Sequence, residues 1–175
     1  MRLVMQLLVS DDEPDFSPLR SLLARRHPGR EYLLRRDRTH NAQLLIIEGR
    51  VSTRLLFDEM WHMAMELCFR SLARLLDGRP TTYQVMWNGK TIELCPHGDR
   101  VEICTPGLAP LSVPRDPLVE LLYRKGRDYV ELLCSLNDDR HAPTITFLRP
   151  HADEAERIVA AHGLSTARPT PWPDD

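Results

Sequence analysis

Residues 82–104 read TYQVMWNGKTIELCPHGDRVEIC. Asn88-Gly89 is the favoured pair for a two-residue type I′ hairpin turn, and Gly98-Asp99 supplies a second turn. The first turn predicts Trp87 opposite Lys90, Val85 opposite Ile92 and Tyr83 opposite Leu94. The second predicts Pro96 opposite Val101 and Leu94 opposite Ile103. Tyr83, Val85, Trp87, Ile92, Leu94, Val101 and Ile103 then share one sheet face. Thr82, Gln84, Met86, Thr91, Glu93, Cys95, Arg100, Glu102 and Cys104 share the other. A slip of one residue would mix the two sets, so the pattern predicts a three-stranded antiparallel meander with one apolar face.

Upstream, Leu55–Asp77 reads as a long helix. Phe57, Trp61, Ala64, Met65, Cys68, Leu72, Leu75 and Leu76 form a stripe at three- and four-residue steps. Glu59, His62, Glu66, Arg70 and Arg74 lie opposite it, with Gly78 and Pro80 ending the helix. This stripe is the expected cover for the apolar face of the meander. Further back, Leu3, Met5, Leu7 and Val9 alternate as a first strand. Ser17-Pro18 reads as a helix start running to about Arg26. Glu31–Arg36 and Gln43–Glu48 read as two more strands. Downstream, Thr105–Pro114 is a Pro/Gly-rich connection. Asp116-Pro117 opens a helix with a bend near Gly126, Thr144–Leu148 is β-prone, and Pro150–His162 is a last helix closed by Gly163.

That order, β-α-β-β-α-β-β-β-α-β-α, predicts an α+β class with a mostly antiparallel sheet. The chain has 175 residues, one domain's worth. A single α+β domain over 1–164 and a Pro-rich tail over 165–175 are expected. With 42% apolar and 27% charged residues the chain has enough to bury for a globular core. Its longest apolar runs, such as Leu44–Ile47, fall far below the roughly 20 residues of a membrane span.

Net charge is −2, which excludes a globally basic nucleic-acid binder. The charge is segregated. Asp11, Asp12, Glu13 and Asp15 form an acidic cluster, and Asp153, Glu154 and Glu156 a second. Between Arg20 and His40, Arg25, Arg26, Arg30, Arg35, Arg36 and Arg38 accompany Tyr32, a footprint that suits phosphate or single-stranded nucleic acid. Among the 23 basic residues only Lys90 and Lys125 are lysine, a bias that G+C-rich coding also produces. Cys68, Cys95, Cys104 and Cys134 form no C-x-x-C, and no secretory signal precedes them, so reduced thiols in the cytoplasm are expected.

Gly-rich phosphate loops and the common nucleophile and zinc motifs are absent from the sequence. Three constellations remain. On the polar meander face, Glu93 opposes Cys104, Cys95 opposes Glu102 and His97 opposes Arg100. Cys95, His97 and Glu93 there suggest an activated thiol, and the two thiols Cys95 and Cys104 with the His97 imidazole suggest three metal ligands. The adjacent carboxylates would raise a thiol's pKa and oppose the first of these, and a charge-paired sheet surface is the plainer account. Glu59, His62 and Glu66 share a helix face, as di-metal bundles require, but no second such helix accompanies them. Met60 and Met63, with Trp61 and Met65, suit either a partner groove or the core.

Residues 87–122 read WNGKTIELCPHGDRVEICTPGLAPLSVPRDPLVELL. The W-x-G-x-x-I-x-L strand, G-D turn, V-x-I strand and D-P-L helix start resemble small bacterial immunity-type proteins of polymorphic toxin systems. The resemblance implies a cytosolic α+β protein that binds and blocks one cognate toxin. It transfers no catalytic residue and implies no cofactor. The leading expectation is therefore a non-enzymatic interaction module with a protein partner and no metal or cofactor. A basic toxin domain would be met by Asp11, Asp12, Glu13 and Asp15, or by Asp153, Glu154 and Glu156. The alternatives are nucleic-acid binding through Arg25–Arg38 and an enzyme using Cys95, His97 and Glu93.

Overall fold

The computed structural model describes residues 2–10, 16–18, 40–48, 50–136 and 138–166. Its first sheet has the order β2-β1-β3-β4, built from β1 (Arg2–Ser10), β2 (Phe16–Pro18), β3 (Asn41–Glu48) and β4 (Val51–Glu59), every pair antiparallel. Met5 and Leu7 of the alternating first strand are buried, and so is Val4 on its other face. Ser17-Pro18 does not open a helix. It sits in β2, paired with Leu8 and Val9, where an edge strand tolerates the missing N–H of proline. The remainder of that expected helix and the strand expected over 31–36 lie outside the described residues.

The helix expected from Leu55 begins five residues later, because Leu55–Glu59 belong to β4. Pairing with β3 prevails over a local helical pattern of only one turn. A β-bulge makes the accommodation: Leu44 opposes Leu56 while Leu45 opposes Arg54. Leu55 is the extra residue, so Leu55 and Leu56 are both buried.

The helix α1 then runs in three stretches, Met60–His62, a π-helical Met63–Arg70, and Ser71–Leu76. Its first free N–H, on Met60, donates to the His40 carbonyl at 2.7 Å. Met63, Ala64, Met65, Leu67, Cys68 and Phe69 are all buried. Such a helix needs neighbours all round. The first sheet touches it at Met5, whose sulfur lies 3.9 Å from the Cys68 thiol, and α2 (Arg115–Leu136) and α3 (Ala142–Ala161) pack against it elsewhere. Glu66 and Arg70 turn outward and pair at 2.7 Å.

The second sheet has the order β5-β6-β7-β8: β5 (Thr81–Gln84), β6 (Thr91–His97), β7 (Arg100–Cys104) and β8 (Leu111–Pro114). The Gly98-Asp99 turn pairs Pro96 with Val101 and Leu94 with Ile103, as expected. The first hairpin differs. Tyr83 opposes Ile92, not Leu94, and Val85 closes onto Lys90 at 2.8 Å around a loop over residues 86–89. The shift is two residues, so the parity of faces survives. Tyr83, Val85, Ile92, Leu94, Val101 and Ile103 are all buried, while Trp87 is expelled from the face into the loop. The expected connection over 105–114 contains β8, which makes the meander four-stranded. The buried face packs on the end of α1 and on α2, within a core cluster that also takes in the first sheet. The architecture is α+β.

No break occurs at Gly126. Helix α2 is continuous, and a Cβ there would meet Cys68 Cβ at 2.7 Å and Phe69 Cε1 at 2.7 Å. The glycine is a crossing point of two helices. Thr144–Leu148 is helical, not extended, and Pro150 lies inside α3 instead of starting it. Leu148, Ala152, Ala155 and Val159 form its buried stripe, and Asp138 caps the 3₁₀ turn before it (Asp139–His141) by accepting the Arg140 N–H at 3.0 Å. Gly163 ends α3 with φ +71°, the left-handed conformation expected of a helix-closing glycine.

Candidate functional site

At the junction of β4 and α1 the Asp58 side chain is completely buried. One oxygen accepts the Glu59 N–H at 2.9 Å. The other accepts the Tyr83 hydroxyl at 2.6 Å and the Met86 N–H at 3.0 Å. His62 Nδ1 lies 3.1 Å from that second oxygen and 3.0 Å from the Tyr83 hydroxyl. Burial, and then the hydrogen bond to Asp58, hold the Tyr83 phenol far above its ordinary range.

Asp58 thus ties together three elements: β4, the first turn of α1, and the hairpin of β5 and β6. The Met86 contact sets the hairpin loop. It anchors the backbone immediately before Trp87, which is 64% exposed, and Met86 itself is exposed. Asn88 Oδ1 accepts the Lys90 N–H at 3.0 Å on the far side of the loop. Trp87 therefore stands out on a backbone fastened at both ends.

Beneath it lies a groove of about 360 Å³. One wall is the β4 stretch from Arg54 to Phe57, and the other carries Val85, Trp87, Lys90 and Ile92, with Thr105, Pro106 and Leu108 at the end. The Arg54 guanidinium sits 5.6 Å from the centre of the Phe57 ring. Arg54 and Lys90 thus line a groove of mixed polar and apolar character.

The residues singled out by sequence fall elsewhere. Glu93, Cys95 and His97 take the expected register, opposite Cys104, Glu102 and Arg100. Cys104 lies 3.6 Å from Glu102, and burial together with that carboxylate pushes its thiol up. Asp153 and Glu156 lie 3.1 and 3.7 Å from Arg127 and join α3 to α2, while Glu154 pairs with Arg157. Asp11, Asp12, Glu13 and Asp15, and Arg25, Arg26, Arg30, Arg35, Arg36 and Arg38, lie outside the described residues.

Glu59, His62 and Glu66 do not make one helix-face cluster. Glu59 ends β4 and accepts the Trp61 indole N–H, whereas His62 turns to Asp58. Among the described residues no group of three His, Cys, Asp or Glu side chains is placed to hold a metal ion, and no helix is long and apolar enough to cross a membrane. Sequence reading missed Asp58. Its signal was the four-residue spacing to His62. No family model matches the chain, and no curated protein or solved structure matches it.

Proposed function

We propose that this chain is a non-enzymatic protein-interaction module of a reducing, cytoplasmic compartment, and that it docks its partner on the groove between β4 and the loop over residues 85–90. The observation that carries the reading is the exposed Trp87, held beside the groove by a loop whose backbone is anchored to a buried carboxylate. Tryptophan is enriched among the residues that dominate binding energy at interfaces. A fixed loop has already lost the conformational freedom that docking would otherwise remove, which favours affinity. All four cysteines are unpaired, which fits a reducing compartment. The resemblance of residues 87–122 to immunity-type proteins begins at this same tryptophan and suggests a toxin domain as the partner.

The test is affinity capture from the native host with the tagged chain and its Trp87→Ala variant, under cross-linking. The expected result is a stoichiometric protein cross-linked near Trp87, lost from the variant by about tenfold or more, with an unchanged melting temperature. Full retention by the variant would remove the groove from the reading.

A further inference from the structure

We infer that the groove receives an extended, acidic segment of the partner, with an apolar side chain on the floor and flanking carboxylates at Arg54 and Lys90. The inference rests on the reading of the groove as the partner surface and adds the chemistry of its occupant.

Charge comes first. Among the described residues, Arg54 and Lys90 are the only charged ones lining the groove and no carboxylate lines it, although the chain as a whole carries −2. The Arg54 guanidinium and the Lys90 backbone are each held by a neighbour. Arg54 lies over Phe57, and the Lys90 backbone is tied to Asn88 and to Val85. An anionic group entering here meets attraction from two sides and no acidic group in the lining.

Shape comes second. Among the described residues β4 is the last strand in its sheet order, and four successive residues of it make one wall. At about 3.3 Å per residue the wall runs for roughly 10 Å. An extended segment fits, because alternate side chains then point the same way and one of them can enter.

The floor comes third. Pro106 and Leu108 offer apolar surface to an entering aliphatic or aromatic side chain, above the buried Leu55, Val85 and Ile92. Nucleic acid would need more phosphate partners than two cations and a succession of stacking rings. Among the described residues lining the groove, Trp87 is the exposed ring, and Phe57 lies against Arg54.

Fluorescence polarisation tests this on the whole chain with a labelled ten-residue peptide of alternating glutamate and leucine. The controls are its lysine–leucine counterpart and a ten-nucleotide oligothymidylate. The expected result is binding of the acidic peptide alone, weakened about tenfold or more by Arg54→Glu with Lys90→Glu and weakened by added salt in the wild type. Arg124→Glu, in the separate cavity beside Leu118 and Leu121, should change nothing. Equal binding of the lysine peptide, no binding of the acidic one, or preferential binding of the oligonucleotide would overturn the inference. The capture experiment separates the two claims. If Trp87→Ala loses the partner and the charge-reversed pair keeps it, the acidic segment is wrong and the groove stands. If Trp87→Ala keeps the partner, the groove itself is wrong.

Discussion

Asp58 gathers the Tyr83 hydroxyl, the Met86 N–H, the Glu59 N–H and His62 around one buried carboxylate. Removing it strands several donors away from water, so Asp58→Ala should cost about 3 kcal/mol in urea denaturation and lower partner affinity by freeing the Trp87 loop. Tyr83→Phe deletes one donor and should cost about 1 kcal/mol. At Gly126 the constraint is steric. A methyl group would overlap Cys68 and Phe69, so Gly126→Ala should lower stability by about 1–3 kcal/mol despite its better helix propensity. Burial holds the Cys68 thiol and the Tyr83 and Tyr129 phenols above their ordinary values. Each keeps its proton in the folded chain while the unfolded chain releases it. Their contribution is complete below the unfolded pKa, near 8.5 for the thiol and 10 for the phenols, and declines above it by about 1.4 kcal/mol per pH unit for each group. Urea midpoints measured from pH 8 to 11 should fall accordingly, and less steeply in Tyr83→Phe.

Among the elements, the strands with a single alternating period were legible from the sequence. Gly98-Asp99 fixes the hairpin of β6 and β7 because turn chemistry and apolar alternation agree there. At Asn88-Gly89 local turn chemistry pointed to a two-residue loop. A bond from Met86 to Asp58, distant in the chain, decided for the longer one. Only the face assignment survived, since a shift of two residues preserves it. The β-prone letters of Thr144–Leu148 misled for a related reason: Leu148, Ala152, Ala155 and Val159 keep helical spacing through the proline, and tertiary burial of that stripe outweighs local propensity. Pro150 nevertheless removes a backbone donor inside α3. Pro150→Ala should therefore raise the melting temperature, by about 1–3 kcal/mol of added stability.

For the molecule as a whole, burial is concentrated on α1, which has two helices and the second sheet packed against it and Met5 of the first sheet at Cys68, while the first half of β4 is open to solvent. Amide exchange should therefore be slowest in residues 63–76 and in the centre of α2, and fastest among the strands at Val51–Arg54. Equal protection in β4 and α1 would contradict this ordering of local stability. What the sequence by itself determined was the α+β class, the apolar face of the second sheet, the turn at Gly98-Asp99 and the helix end before Gly78. Each of these rests on periods and turn residues that act within a few positions of one another. The start of α1, the register at Trp87, the inclusion of β8 and the groove were decided by tertiary structure. Each depends on partners far apart in sequence: β3 beside β4, Asp58 beneath Met86, β7 beside β8, and β4 facing the hairpin of the other sheet. No local pattern encodes which distant group will supply the missing hydrogen bond or buried surface.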